Sequence, residues 1–230
     1  MSRYAPVVIA LCVVAALLSL RVHRATATGE PEVTPAIRAG TLTFAPGVTP
    51  SDKAWILGAI ATARPEAQRL IAEVDGMIEV RTDLNAPGSA YPPGAEQAIG
   101  LTHMVGDHAM IALDVRELDG ERAIDRNIVV LHELGHVIDF VLADEALVAQ
   151  LDAGIPDVGT CNGPVDGIGA CTAIPERFAD TFAKWALRGA VSVAGAGYGV
   201  ATPASLEDWG TPLANLAIEI QVSASRAGSS

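Results

Sequence analysis

One stretch of the sequence limits the possible folds more than any other, because it places ionisable groups inside an apolar helix. Apolar residues recur at helical spacing across residues 124–143, which predicts a buried helix. The segment His132-Glu133-Leu134-Gly135-His136 lies in the middle of this stretch. Burying such polar side chains without partners costs several kcal/mol, so the fold must give them a metal ion or hydrogen-bonding partners.

The spacing of the two histidines favours a metal site. Side chains four residues apart project from the same face of a helix, so His132 and His136 can bind one Zn²⁺ through their imidazole nitrogens. Glu133 then lies beside the metal, where it can accept a proton from the attacking water instead of coordinating. The five-residue pattern also arises by chance, and the alternative is that all three are hydrogen-bonded core residues.

A catalytic zinc needs a third protein ligand and an open fourth position. Pro175 is typical of a helix start, and Glu176 follows it directly, with Asp180 four residues later on the same face. We therefore expect Glu176 to bind the metal and Asp180 to accept the distal N–H of a ligand histidine. The alternatives are a first-turn acid that the helix dipole favours and a solvated helix residue, respectively.

Another scheme for the third ligand fails on inspection. The pattern HExxHxxGxxH needs Gly at position 139 and His at position 142, where this chain has Asp139 and Leu142. Asp139 follows His136 by three residues, so it is a rival ligand, an outer acceptor for a ligand histidine, or a residue of helix packing.

Two motifs together resemble a known family. HELGHVID at residues 132–139 is followed about 40 residues later by ERFADTFAKW at residues 176–185. This combination is similar to the zinc-peptidase domain of the anthrax lethal factor-like family, which includes the Pro-Pro endopeptidases and belongs to the gluzincins. The resemblance covers roughly residues 95–190, and only the two motif blocks are specific.

The resemblance implies a compact zincin-like metallopeptidase domain. A small mixed sheet would accompany the HExxH helix and the following ligand helix. One zinc ion would be held by His132, His136 and Glu176, with Glu133 as the general base.

The chain departs from that family at one position. The family places a catalytic tyrosine a few residues before the ligand glutamate, and residues 161–175 contain none. Tyr198, in a glycine-rich segment, is the candidate to polarise the substrate carbonyl in its place. His103 and His108 are the other candidates, and the alternative for all three is a structural or surface role.

Charge and length exclude some functions. The chain has 230 residues, half of them apolar, which supports one hydrophobic core. Its 27 acidic and 15 basic residues give a formal net charge of −12. Such a surface repels phosphate backbones, and the absence of a basic patch in the sequence argues against nucleic acid as a partner.

The N-terminus is typical of export. Residues 6–20 are uncharged and almost wholly apolar, which is short for a bilayer span of about 20 residues. Ala25-Thr26-Ala27 then offers a signal-peptidase site, so we expect a signal peptide over residues 1–27, a linker over 28–40 and the metallopeptidase domain over 41–225. The alternative is a retained N-terminal anchor. Both place the domain outside the cytosol, secreted or in the cell envelope.

The mature chain would keep two cysteines, Cys161 and Cys171. In an oxidising compartment we expect them to form a disulfide, with free thiols or a metal-binding pair as the alternative.

The rest of the chain predicts an α+β domain, with strands mostly before helices. The apolar runs 98–105 and 109–115, separated by Gly106-Asp107, predict a hairpin. This hairpin, especially its segment 109–113, is the expected edge for pairing with an extended substrate. The predicted strands are 41–44, 77–80, 98–105 and 109–115, and the predicted helices start at Ser51 and Pro65 and cover 144–151, 175–187 and 213–222.

The sequence therefore predicts an exported zinc endopeptidase that acts on proteins or peptides and meets no membrane beyond a possible anchor. The first alternative is a catalytically inactive extracellular binding module that zinc stabilises. The second is an envelope-anchored adhesion or inhibitor domain in which the HExxH pattern is accidental.

Overall fold

The computed structural model describes residues 42–84, 98–115, 125–157, 173–189 and 200–228. The predicted signal peptide, linker, disulfide cysteines and Tyr198 lie outside these ranges and stay predictions. The described elements, in chain order, are β1 (Thr43–Phe44), α1 (Pro50–Thr62), α2 (Pro65–Val74), a 3₁₀ turn (Asp75–Met77), β2 (Ile78–Arg81), β3 (Gly100–Val105), β4 (His108–Leu113), α3 (Arg126–Val141), α4 (Glu145–Ala153), α5 (Ile174–Ala186) and α6 (Leu206–Ala227).

The predicted α+β class is confirmed, since several helices accompany one small mixed sheet. No helix within the described ranges is both long and apolar enough to cross a bilayer.

Two helix starts differ from the sequence prediction. Thr49, not Ser51, caps α1, because its hydroxyl accepts from the Asp52 backbone while the Asp52 carboxylate accepts from the Thr49 backbone. Helix α6 begins at Leu206, seven residues before the predicted start at position 213. The sequence prediction missed the part of α6 before position 213, because Gly210 and Pro212 both disfavour a helix interior. Ser205 nevertheless caps it by accepting from the Asp208 backbone.

The sheet has the strand order β1-β2-β4-β3. Strand β1 runs parallel to β2, and β2 runs parallel to β4, whereas β3 pairs antiparallel with β4. Val80 on β2 lies beside Ile111 on β4, which lies beside Thr102 on β3, so these three side chains share one face.

The predicted hairpin lies at one side of the sheet, but its segment 109–113, the part expected to pair with substrate, is not at the edge. Strand β4, which contains the segment 109–113, pairs on one side with β2 and on the other with β3, so its backbone is used on both sides. Its apolar side chains are typical of such a central strand. Among the described strands, β3 forms this edge of the sheet.

The alternation of hydrogen bonds between β3 and β4 determines which backbone groups of β3 point away from β4. Asp114 donates its backbone N–H to Ile99, which makes these two residues a hydrogen-bonded pair. Because hydrogen-bonded and non-hydrogen-bonded pairs alternate in an antiparallel ladder, the N–H and C=O groups of Gly100, Thr102 and Met104 point away from β4. Strand β3 therefore offers three outward-facing residues for pairing.

Helices α3 and α5 pack closely against each other. Both are buried along most of their length, α3 from Ile128 to Asp139 and α5 from Arg177 to Ala186. A Cβ added at Gly135 would lie 3.0 Å from the Cα of Ala179 and 3.2 Å from the ring of Phe182. Gly135, the fourth residue of the HExxH segment, thus allows the two backbones to approach.

This packing makes Gly135→Ala a destabilising substitution. The new methyl group meets helix backbone that cannot move aside cheaply, so we expect the free energy of unfolding to fall by about 1–3 kcal/mol. Gly58→Ala is the matched control, because Gly58 is also a helical glycine but has nothing within 4 Å of an added Cβ. That change should raise the free energy of unfolding by up to about 1 kcal/mol. Chemical denaturation of the metal-free variants measures both, and equal effects at the two sites would contradict the close helix contact.

Candidate metal centre

Helix α3 presents the two histidines toward the same point. Asp125 caps the helix by accepting from the backbones of Asn127 and Ile128. One helical turn separates His132 from His136, and their Nε2 atoms lie 3.1 Å apart. Both side chains are buried.

Helix α5 brings the third group from 40 residues further along the chain. Glu176 lies in the first turn of α5, with its Oε2 3.1 Å from Nε2 of His132 and its Oε1 3.5 Å from Nε2 of His136. Within the described residues, these three side chains form the one group whose ligand atoms converge, all within 4.8 Å of one another. The cluster could therefore hold a metal ion.

The spacing of the donor atoms fits a small tetrahedral ion. Ligand atoms about 2.0–2.1 Å from such an ion lie about 3.3 Å from each other. The separations of 3.1, 3.1 and 3.5 Å bracket that value. Two imidazole nitrogens and a carboxylate also form a donor set that zinc accepts.

The charges of the cluster favour a cation among these side chains. Burial alone would lower the pKa of His136, but the neighbouring carboxylates of Glu176, Glu133 and Asp139 outweigh it and raise that pKa to about 9. Burial would raise the pKa of Glu176, but His136 and His132 hold it well below its usual range. A metal ion that binds here therefore displaces a proton from the cluster.

Glu133 lies on the same helix but faces β3. Its buried carboxylate accepts a hydrogen bond from the hydroxyl of Thr102, with 2.6 Å between Thr102 Oγ1 and Glu133 Oε2. Its negative charge helps to raise the pKa of His136, but its oxygens are not among the converging ligand atoms. This position is compatible with the predicted role of a base that does not coordinate.

The two aspartates predicted near the metal are both buried. Asp180 forms an ion pair with Lys184 one turn later on α5, at 2.6 Å, and Lys184 also donates to the carbonyl of Val200. The alternative that Asp180 is a solvated residue is therefore wrong, while its predicted hydrogen bond to a ligand histidine stays a prediction. Asp139 is not among the three converging ligands, and its negative charge helps to raise the pKa of His136.

The two described candidates for polarising a carbonyl, His103 and His108, do not belong to the cluster. Side chains alternate along a strand, so His103 projects from the face of the sheet opposite to Thr102 and Glu133. His108 is largely exposed at the hairpin, where it lies 3.3 Å from Asp107. Tyr198 lies outside the described residues.

Thr102 and Lys184 make contacts near the site that sequence patterns missed. Thr102 is 31 residues from Glu133 along the chain, and no local motif links them. Lys184 carries a weak signal, because it follows Asp180 at the i,i+4 spacing of a helical ion pair.

Comparisons of the chain with models of known protein families, with curated proteins and with solved structures found no match. The resemblance to the lethal factor-like family therefore depends on the two sequence motifs alone.

Replacing Glu176 tests the ligand set. Loss of an outer contact to a metal ligand costs about 10- to 100-fold in affinity, so losing a ligand in Glu176→Ala should weaken zinc binding by at least about 100-fold. Glu145→Ala is the matched control, because Glu145 is also a first-turn glutamate but belongs to α4 and is exposed. Competition titrations against a chelator measure both affinities. If Glu176→Ala holds zinc as tightly as the parent, Asp139 or Asp180 becomes the better ligand candidate.

Proposed function

We propose that this protein is an exported zinc-dependent endopeptidase with a zincin-like domain. The observation that carries the proposal is the convergence of Glu176 with both histidines of the HExxH helix, across 40 residues of chain. A chance pattern on a helix gives no reason for a distant carboxylate to meet both imidazoles at ligand spacing.

Zinc is the metal that these residues fit best. The histidines and the glutamate supply three ligands, which leaves one position open in a tetrahedral arrangement, as in catalytic zinc sites. A bound zinc ion would supply Lewis-acid polarisation of a scissile carbonyl and would acidify the attacking water.

Glu133 supplies the proton transfer that peptide hydrolysis requires. It lies next to His132 on α3, and its charge reaches His136. As a buried carboxylate beside the cluster, it takes the proton from the attacking water and returns it to the leaving amine.

Strand β3 supports an extended peptide as the substrate. The outward-facing backbone groups of Gly100, Thr102 and Met104 can pair with an added strand. Thr102 at the same time contacts Glu133, so a peptide bound along β3 runs past the base. Within the predicted hairpin, β3 therefore replaces the segment 109–113 as the proposed substrate edge.

Export is supported by the sequence of residues 1–27. The short apolar stretch over residues 6–20 and the Ala25-Thr26-Ala27 site are typical of a signal peptide. We therefore propose a secreted or cell-envelope location. The alternative is that residues 1–27 stay attached as an N-terminal anchor.

Glu133→Gln separates the enzyme from an inactive zinc protein. The amide cannot take up the proton, so hydrolysis should fall by about 10²- to 10⁴-fold while one zinc per chain is retained. Glu219→Gln on the exposed part of α6 is the matched control and should cleave like the parent. The measurements are a peptide-library digest analysed by mass spectrometry and a zinc determination.

Two results would contradict the proposal. A parent chain that keeps one zinc but cleaves no peptide would be a zinc-stabilised binding module. A parent chain without stoichiometric zinc would make the HExxH pattern accidental.

A further inference from the structure

The carboxylate of Glu133 is held from outside its own helix, by two residues of β3. We infer that Thr102 is a positioning residue that orients the proposed general base, and that Gly100 provides the space in which the base lies. This inference rests on the proposed function, since it assigns a task within the same site.

The hydrogen bond from Thr102 is short and has a charged acceptor. Thr102 Oγ1 lies 2.6 Å from Glu133 Oε2 and 3.2 Å from the backbone oxygen of Glu133. A hydroxyl has one proton to donate, and the closer, charged oxygen receives it. A glutamate has several rotatable bonds, and this hydrogen bond holds its far end in one orientation.

Gly100 lies two residues before Thr102 on the same face of β3. A Cβ built at Gly100 would overlap Oε1 of Glu133 and would lie 2.7 Å from its Cδ and 2.9 Å from its Cγ. The strand backbone therefore approaches the carboxyl group as closely as a residue without a side chain allows. Thr102 contacts one oxygen of the carboxylate, and Gly100 lies against the other.

The backbone groups of the same two residues point away from β4, toward the edge that β3 forms among the described strands. A peptide that pairs with β3 is thus aligned by the residues that hold Glu133. Strand β3 would thus align the bound peptide and also orient the base. Catalysis by proximity requires that both reacting groups are held in a fixed relative position.

Thr102→Val tests the positioning role, because valine keeps the shape of threonine and removes the donor. In the zinc-loaded full chain, kcat should fall by about 10- to 100-fold, the range found when outer partners of a metal site are removed. The KM should change by less than about twofold and the zinc content should stay at one per chain, since Thr102 is not a ligand. Crystal structures of parent and variant should show the Glu133 carboxylate displaced and the histidines unmoved.

Two further variants distinguish the loss of Glu133 orientation from an unspecific loss of activity caused by mutation. Thr102→Ser keeps the hydroxyl, so its kcat should return to within about threefold of the parent, as conservative rescue requires. Thr211→Val, on α6, removes a hydroxyl that donates to the carbonyl of Glu207 on the same helix, and this variant should cleave like the parent. If Thr102→Val keeps the parent kcat, or if Thr102→Ser loses as much as Thr102→Val, the positioning role is refuted.

Failure of the proposed function would look different. A parent chain that cleaves no peptide removes the endopeptidase proposal without involving Thr102. The two crystal structures then decide the inference alone, and an unmoved Glu133 in Thr102→Val would overturn it.

Discussion

The close packing of α3 against α5 at Gly135 is the contact on which the site depends. Glu176 and the two histidines belong to different helices, and only a short distance between the helix backbones brings their ligand atoms to within 3.1–3.5 Å. Gly135 permits that distance, because any larger residue would meet the backbone of Ala179. A residue of the motif that carries no functional group is thus as important to the geometry as those that do.

The buried polar groups of the two helices are compensated in different ways. His132, His136 and Glu176 compensate one another as a charged cluster. Asp180 is fully buried and is paired with Lys184, which in turn donates to the carbonyl of Val200 just before α6. Glu133 accepts from Thr102 on the neighbouring strand. Because unpaired buried charges cost far more than paired ones, each pairing helps to stabilise helices that carry so many ionisable side chains.

The sequence was most informative where a local pattern determines geometry. The i,i+4 spacing of His132 and His136 requires a shared helix face, and the position of Glu176 after Pro175 places it in a first helical turn.

Sequence patterns failed where geometry depends on long-range pairing. The apolar pattern predicted the hairpin but not the strand order, so its inner strand, 109–113, was favoured over β3 as the substrate edge. No spacing rule links Thr102 to Glu133. The start of α6 was missed because Gly210 and Pro212 are both disfavoured in a helix interior. Gly210 lies against Trp185, where a larger residue would overlap the indole ring.

The central claim is that three side chains from two helices bind one zinc ion. Anomalous diffraction at the zinc absorption edge, from crystals of the zinc-loaded protein, tests it most directly. We expect a single anomalous peak about 2.0–2.2 Å from Nε2 of His132, Nε2 of His136 and a carboxylate oxygen of Glu176. A peak elsewhere, or zinc bound with Glu176 turned away from both imidazoles, would contradict it.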